Sequence, residues 1–302
     1  MNAVLQTENL TMRFRRVAAV DGLNLEVPPG AIFALTGANG AGKTTTIQCA
    51  MNILRPTAGR CRVLGTESTR LGPRELASIG YVSENRQLPG GMTVGRFLAF
   101  CRPMYPSWDD TEAQALVRQY DLPVDRPLSG LSRGMRVKAM LAAALAHRPR
   151  LIVLDEPFGG LDVLVREQLI ESILERTPDA AVLLASHDLA EIESFATHVA
   201  YLNQGRLLFS EETSALTARF QEVEVTLDEP RSMPLDLPKT WLRPQGSGKL
   251  IRFVDSSWHV EASPDLIRGR FPAAQDVTHQ GMSLRSILLA MASTAPTEQI
   301  SR

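Results

Sequence analysis

Long apolar runs are missing from this sequence. The longest wholly apolar one, Ala139–Ala146, falls far short of the roughly 20 residues that a membrane-spanning helix needs, so the chain is not expected to cross a bilayer. The start, MNAVLQTENL, has no basic stretch followed by an apolar one; a secretion signal is not expected, and the cytoplasm is the expected compartment. Cysteine is scarce: Cys49, Cys61 and Cys101 are an odd number without CxxC or Cys/His spacing. They read as small apolar residues in a reducing compartment, which argues against a disulfide framework or a zinc site. An excess of charge of either sign is lacking too. Lys plus Arg number 32 against 33 Asp plus Glu, net -1, so no global basic field exists to hold nucleic acid, which is not an expected partner. Internal repeats, low-complexity tracts and sustained heptads are also absent.

What is present describes a globular chain. With 302 residues, 44% hydrophobic and 22% charged, it can bury a large core, as one big α/β domain with an appendage or as two domains. Three short runs, Ala31–Leu35, Leu151–Leu154 and Ala181–Ala185, show no polar alternation. That is the pattern of parallel strands covered on both faces. Each ends in small or functional residues: Thr36-Gly37, Asp155-Glu156 and Ser186-His187. Ligands of such sheets bind at the carboxyl ends of the strands, so three chemically loaded ends point to one site. A helix-rich segment, about Thr93 to His147, lies between the first two runs. Val199–Leu202 and Leu207–Phe209 flank Asn203-Gln204-Gly205-Arg206 as a hairpin. From about Ser214 the texture changes. Val223–Leu227 alternates, Leu250–Val254 and His259–Ala262 are strand-like, the Pro-rich stretch from Glu229 to Pro244 reads as loop, and a helix is expected around Leu284–Ala292.

The chemistry begins at Gly37-Ala38-Asn39-Gly40-Ala41-Gly42-Lys43-Thr44, which fits the phosphate-loop pattern G-x-x-x-x-G-K-T in its required place between a strand and a helix. Its glycines let backbone N–H groups turn inward around phosphates, Lys43 reaches the β and γ phosphates, and the Thr44 hydroxyl ligates Mg²⁺; Thr45 extends the contact. Asp155 is the second expected Mg²⁺ ligand, and Glu156 the candidate base for an attacking water. Paired carboxylates at a strand end also serve as caps or ion-pair partners. Beside a phosphate loop, the catalytic reading takes precedence.

Leu131-Ser132-Arg133-Gly134-Met135, opening an Ala-rich helix, resembles the LSGGQ signature of ABC ATPases, with Arg133 where Gly is usual and Met135 where Gln is usual. The resemblance implies that Ser132, Arg133, Gly134 and Met135 of one chain face the nucleotide on the phosphate loop of another, so that ATP is sandwiched in a dimer; a helix N-terminus suits an anion. Further matches follow in order. Gly160-Leu161-Asp162 looks like the D-loop that crosses the dimer interface, with Val163 in place of the usual Pro. His187 matches the switch histidine that contacts the γ-phosphate, and Phe14 falls where the family sets an aromatic ring against adenine. Ile79–Asn85 is similar to the Q-loop, yet Glu84 stands at the glutamine position: a carboxylate can still hold Mg²⁺ but cannot donate when ionised. That substitution, the Ser-Arg-Gly-Met signature and Tyr105-Pro106-Ser107-Trp108-Asp109 have the look of the branch containing antibiotic and drug exporters.

The resemblance implies an α/β phosphate-loop core with a parallel sheet, an antiparallel β portion and a helical insertion at about 88–147. This ATPase domain would cover 1–213, and a small α+β domain 214–302. It further implies catalytic roles for Glu156, His187 and Lys43, ATP and Mg²⁺ as ligands, a second nucleotide-binding subunit, and a separate transmembrane permease that holds the chain peripherally on the cytoplasmic face of the membrane. Met92, Phe97, Phe100, Tyr105 and Trp108 are either a docking surface for that permease or the insertion's own core. The alternatives are a soluble ABC ATPase working on ribosomes or DNA, disfavoured by the single cassette and absent heptads, and a GTPase or kinase, disfavoured by the missing Asn-Lys-x-Asp motif.

Overall fold

A computed structural model describes residues 3–83, 88–176, 178–188, 192–231, 233–234 and 236–292. Near the N-terminus, residues alternate between a buried and a solvated face: Leu5 and Thr7 are buried while Gln6 and Glu8 are not. This stretch forms β1 (Leu5–Phe14), which pairs antiparallel with β2 (Val17–Val27). The apolar run after it is β3 (Ile32–Thr36), followed by α1 (Lys43–Ala50). Next come β4 (Ala58–Val63), β5 (Thr66–Glu67), α2 (Pro73–Leu76) and β6 (Ile79–Ser83). The helix-rich segment contains α3 (Val94–Cys101), α4 (Asp110–Gln119) and α5 (Arg133–Leu145). Beyond it lie β7 (Leu151–Asp155), α6 (Val163–Arg176), β8 (Ala181–Ser186), β9 (His198–Asn203) and β10 (Arg206–Glu212).

These elements build two sheets. One is antiparallel, in the order β2-β1-β4-β5; the other has the order β10-β9-β3-β8-β7-β6. In the second, β3 pairs parallel with β8 and β9, and β7 pairs parallel with β6 and β8. The run Leu151–Leu154 is at most 1% exposed, as expected of a strand covered on both faces. Each such side chain contributes about 1.5–3 kcal/mol by leaving water.

Polar caps start the helices of the insertion. Thr93 accepts from the Arg96 N–H, and Asp109 from those of Thr111 and Glu112, at the N-termini of α3 and α4. Within the insertion Phe97 is core, whereas Phe100 and Met104 are each 50% exposed. Both Cys49 and Cys61 are buried, and burial pushes their thiols up to about 11 and about 12; they are inert at neutral pH.

The chain divides into two compact units, 1–210 and 211–302. The second contains α7 (Thr213–Arg219), β11 (Gln221–Leu227), β12 (Trp241–Ser247), β13 (Leu250–Asp255), α8 (Ser263–Arg270), β14 (Ala274–Gly281) and α9 (Leu284–Ala292). Its antiparallel sheet runs β12-β13-β11-β14. Val223, Val225 and Leu227 on one face of β11 join Trp241, Phe253, Trp258 and Phe271 in its core. Two expectations are corrected here. His259–Ala262 is not a strand but a turn leading into α8, because the Trp258 N–H bonds to Arg219 and the His259 N–H to the Ser263 hydroxyl instead of to a ladder. Pro244 lies inside β12, not in a loop. It is tolerated because β12 is an edge strand with a register shift between Leu242 and Gln245, where Arg243 takes a φ of 52°, and a bulge on an edge spares the missing N–H.

Candidate functional site

At the end of β3 the backbone turns sharply into the phosphate loop. Gly37 has a φ of 145°, and a Cβ there would lie 2.3 Å from the Leu202 carbonyl oxygen on β9, so no side chain fits. After the loop, α1 starts at Lys43 with no side chain capping its first amides, which leaves N–H donors and the positive end of the helix for an anion. Lys43 is 5% exposed. Its Nζ donates to the Gly37 carbonyl at 2.7 Å and the Ala38 carbonyl at 3.3 Å, and lies 3.1 Å from Glu156 Oε1.

Asp155 ends β7 at 1% exposure. Its Oδ1 accepts from the Thr44 hydroxyl at 2.8 Å and its Oδ2 from the Ser83 hydroxyl at 3.4 Å. Burial raises this carboxyl's pKa from its ordinary value, and the charge of Glu156 adds to the rise, against the hydrogen bonds from Thr44 and Ser83 and the charge of Lys43. Glu156 follows with a φ of 51°, a costly left-handed conformation for a side-chain-bearing residue and one that clusters at functional sites. Its N–H bonds to the Ala185 carbonyl of β8 at 3.0 Å. Its Oε2 lies 2.7 Å from His187 Nδ1, just past the end of β8. Lys43, Glu156 and His187 therefore form one connected chain across a cleft of about 440 Å³, lined also by Ala19, Asn39, Gly40, Ala41, Gly42, Thr44 and Thr45.

Thr44 and Asp155 supply two hard oxygen donors 2.8 Å apart, the donor chemistry Mg²⁺ prefers. Among the described residues, no cation lies within ion-pair distance of the buried Asp155. Glu84, the third expected metal ligand, lies outside the described residues. Phe14, expected against adenine, is 46% exposed where β1 pairs with Val17 of β2, and is not among the residues lining the cleft. Nor does the cleft of this single chain include Ser132, Arg133, Gly134, Met135 or Asp162. Ser132 caps α5 by accepting from the Met135 N–H at 3.2 Å, and Asp162 accepts from the Leu164 N–H at 2.9 Å at the start of α6. The two segments touch. A Cβ on Gly160 would sit 3.1 Å from Arg133 Nη1, and one on Gly134 would sit 3.6 Å from Leu161 Cδ2.

Sequence reasoning missed Ser83 and Ala19. Ser83 carries the same signal as the other strand ends, an apolar run closed by a polar residue, but reads as part of the link to the insertion. Ala19 carries no signal; only the approach of β2 to the loop brings it to the cleft.

A family model described as ABC transporter matches residues 20–159. The chain is 31% identical over 213 residues to the bacitracin transport ATP-binding protein BcrA of Bacillus licheniformis, covering 69% of each protein. It is 33% identical over 214 residues to the sulfate/thiosulfate import ATP-binding protein CysA of Bradyrhizobium diazoefficiens, covering 67% of this chain but 62% of that one. Among solved structures, an ATP-binding subunit of an ABC transporter superposes with a TM-score of 0.65 at 26% identity, over 71% of this chain and 92% of that one.

Proposed function

The chain belongs to the ABC transporter family of ATP-binding proteins, and on that premise we propose that it is the ATP-hydrolysing subunit of an exporter, pairing with a second nucleotide-binding subunit to drive a separate membrane-spanning partner. The observation that carries this reading is the connected chain Lys43–Glu156–His187 beside the Thr44–Asp155 pair, all in one cleft at the head of α1.

ATP places its β and γ phosphates over the N-terminus of α1, and Lys43 exchanges its loop carbonyls and Glu156 for phosphate oxygens. Magnesium, held by Thr44 and Asp155, would supply charge neutralisation across those phosphates. Released from Lys43, Glu156 accepts a proton from the attacking water as its oxygen bonds to the γ-phosphorus and the bridging oxygen leaves with ADP. His187 holds the Glu156 carboxylate in place through Nδ1. Ser132 and Gly134 of the second subunit cap the nucleotide, and loss of γ-phosphate contacts lets the pair reopen.

No helix among the described residues is long and apolar enough to cross a membrane; in the proposed reading a separate membrane-spanning partner supplies the transport path and holds this chain at the cytoplasmic face. A groove of about 460 Å³ lined by Gln48, Met51, Ile53, Leu76, Ile79, Tyr81, Ser83 and Tyr105 supports docking of that partner beside the end of β6. The exporter assignment rests on the Ser132–Met135 signature and the likeness to BcrA; the likeness to an importer sets the competing direction.

Glu156→Gln tests the catalytic core. It keeps nucleotide binding, loses hydrolysis by about 10²–10⁴-fold and accumulates as a dimer in Mg²⁺-ATP. A folded variant that stays monomeric at saturating ATP sinks the sandwich. Purification from gently solubilised native membranes then tests the partner: a stoichiometric polytopic protein is expected, and transport in vesicles made with it reads the direction. Ribosomal or DNA-repair proteins in its place would leave the catalysis standing and overturn the transport role.

A further inference from the structure

β9 runs parallel to β3, with Thr36 opposite Tyr201, so both strands end at the same edge of the sheet. The turn after β9 therefore arrives at the phosphate loop. It is a two-residue turn, Gln204 at φ 48° and Gly205 at φ 81°, the doubly positive form that suits strand twist in a hairpin. The peptide groups of Gly205 bridge two other segments: its N–H donates to the Ala41 carbonyl in the phosphate loop at 3.0 Å, and its carbonyl accepts from the Asp21 N–H on β2 at 2.9 Å. Packing there leaves no room for a methyl group. A Cβ on Gly205 would lie 2.9 Å from the Ala19 carbonyl oxygen; one on Gly42 would lie 2.5 Å from that same oxygen and 3.5 Å from the Gly205 Cα. The next residue closes the arrangement. Arg206 pairs with Asp21 Oδ2, at 3.0 Å from Nε and 2.9 Å from Nη2.

We infer that the Gln204-Gly205 turn, latched by Arg206 on Asp21, sets the shape of the phosphate loop, and that Gly205 is a positioning residue for nucleotide phosphate. Three backbones, at Ala19, Gly42 and Gly205, cross in contact beneath the loop. The loop's inward amides consequently keep their geometry only while the turn stays where β9 and β10 put it. The turn does not line the cleft; it acts through Ala41 and Gly42. This inference rests on the ATP-binding reading.

The test uses the full chain, titrated with a fluorescent ATP analogue alongside thermal melts and steady-state hydrolysis. Gly205→Ala is expected to weaken nucleotide affinity by about tenfold or more, equivalent to 1.4 kcal/mol, with kcat at saturation close to wild type, the pattern of an effect on binding common to ground and transition states. Gly248→Ala is the matched control. Gly248 sits at φ 64° between β12 and β13 with nothing within 4 Å of an added methyl, so the variant imposes similar backbone strain and should leave affinity unchanged. Arg206→Ala, a surface change that carries the test even if Gly205→Ala does not fold, is expected to weaken affinity by about threefold, and Arg206→Lys to restore part of it. Wild-type affinity in folded Gly205→Ala or in Arg206→Ala, or an equal loss in Gly248→Ala, overturns the inference. If the wild-type chain itself does not bind the analogue, the ATP-binding reading fails instead.

Discussion

Replacing Asp155 by Asn should make the nucleotide-free protein more stable and the enzyme inactive, and these opposite signs make it a sharp test. The carboxylate is 1% exposed and its neighbours are two hydroxyls rather than a cation within ion-pair distance. An asparagine keeps both contacts, since its Oδ1 accepts from Thr44 and its amide can donate to Ser83. What disappears is the desolvated charge, whose burial costs on the order of 1–3 kcal/mol. At about 2–4 °C per kcal/mol for a chain of this size, even the low end is readily measured by calorimetry in EDTA. The pH dependence has a definite sign. A carboxyl raised by folding makes the native state bind more protons than the unfolded one between the unfolded pKa of 3.8 and the raised folded value, so its contribution weakens stability as pH rises through that window and stays unfavourable above it. The Asn variant lacks this slope. Hydrolysis should fall by at least about 10²-fold with the metal ligand gone, and the extra stability that Mg²⁺-ATP gives the wild type by mass action should be largely lost. An Asn variant that melts below the wild type in EDTA would refute the burial argument. One that retains Mg²⁺-dependent hydrolysis would refute the metal assignment.

His147 is fully buried, stacked 3.9 Å from Tyr105, and burial lowers its pKa to about 4. Between pH 6.5 and about 4 the unfolded state binds the extra proton, so the wild type loses stability on acidification through that range. His147→Phe, which keeps the stack, should flatten that limb of the melting-temperature profile, and an unchanged slope contradicts the assignment. Arg133→Gly removes the guanidinium that covers Gly160. Loss of about 0.5–1.5 kcal/mol of contact should lower the melting temperature by about 1–6 °C and hydrolysis by about 2–10-fold; unaltered turnover would show that this contact does not bear on catalysis. In the C-terminal unit, Arg219 pairs with Glu211, donates to the Ser256 carbonyl and covers the Phe220 ring at 4.6 Å. Arg219→Ala should destabilise that unit by about 1–2 kcal/mol, seen as faster hydrogen exchange along β11 in the intact chain. Unchanged exchange would show the cluster to be incidental.

Strands buried on both faces were legible in the sequence because an apolar run without alternation has few other places to go. The hairpin at Gln204-Gly205 was legible from its turn residues, and the helix expected around Leu284–Ala292 is α9. The C-terminal unit was less so. α8 and β14 hid in polar, Arg- and Asp-containing sequence whose burial is slight, and Pro244 concealed an edge strand that uses a bulge.

The sequence by itself determined what contiguous residues can do: the phosphate-loop spacing from Gly37 to Thr44, the adjacent carboxylates Asp155 and Glu156 at a strand end, and the Ser-led start of α5. Those are local, dictated by turn geometry and by the direction in which a strand delivers its last side chains. Only the tertiary structure decided that Lys43 meets Glu156, that Glu156 meets His187, that Ser83 reaches Asp155, and that Gly205 lies under the loop. Each joins residues more than 30 positions apart. The order β9-β3-β8-β7-β6 puts them at one edge, and that order follows from which apolar faces bury one another rather than from any single segment.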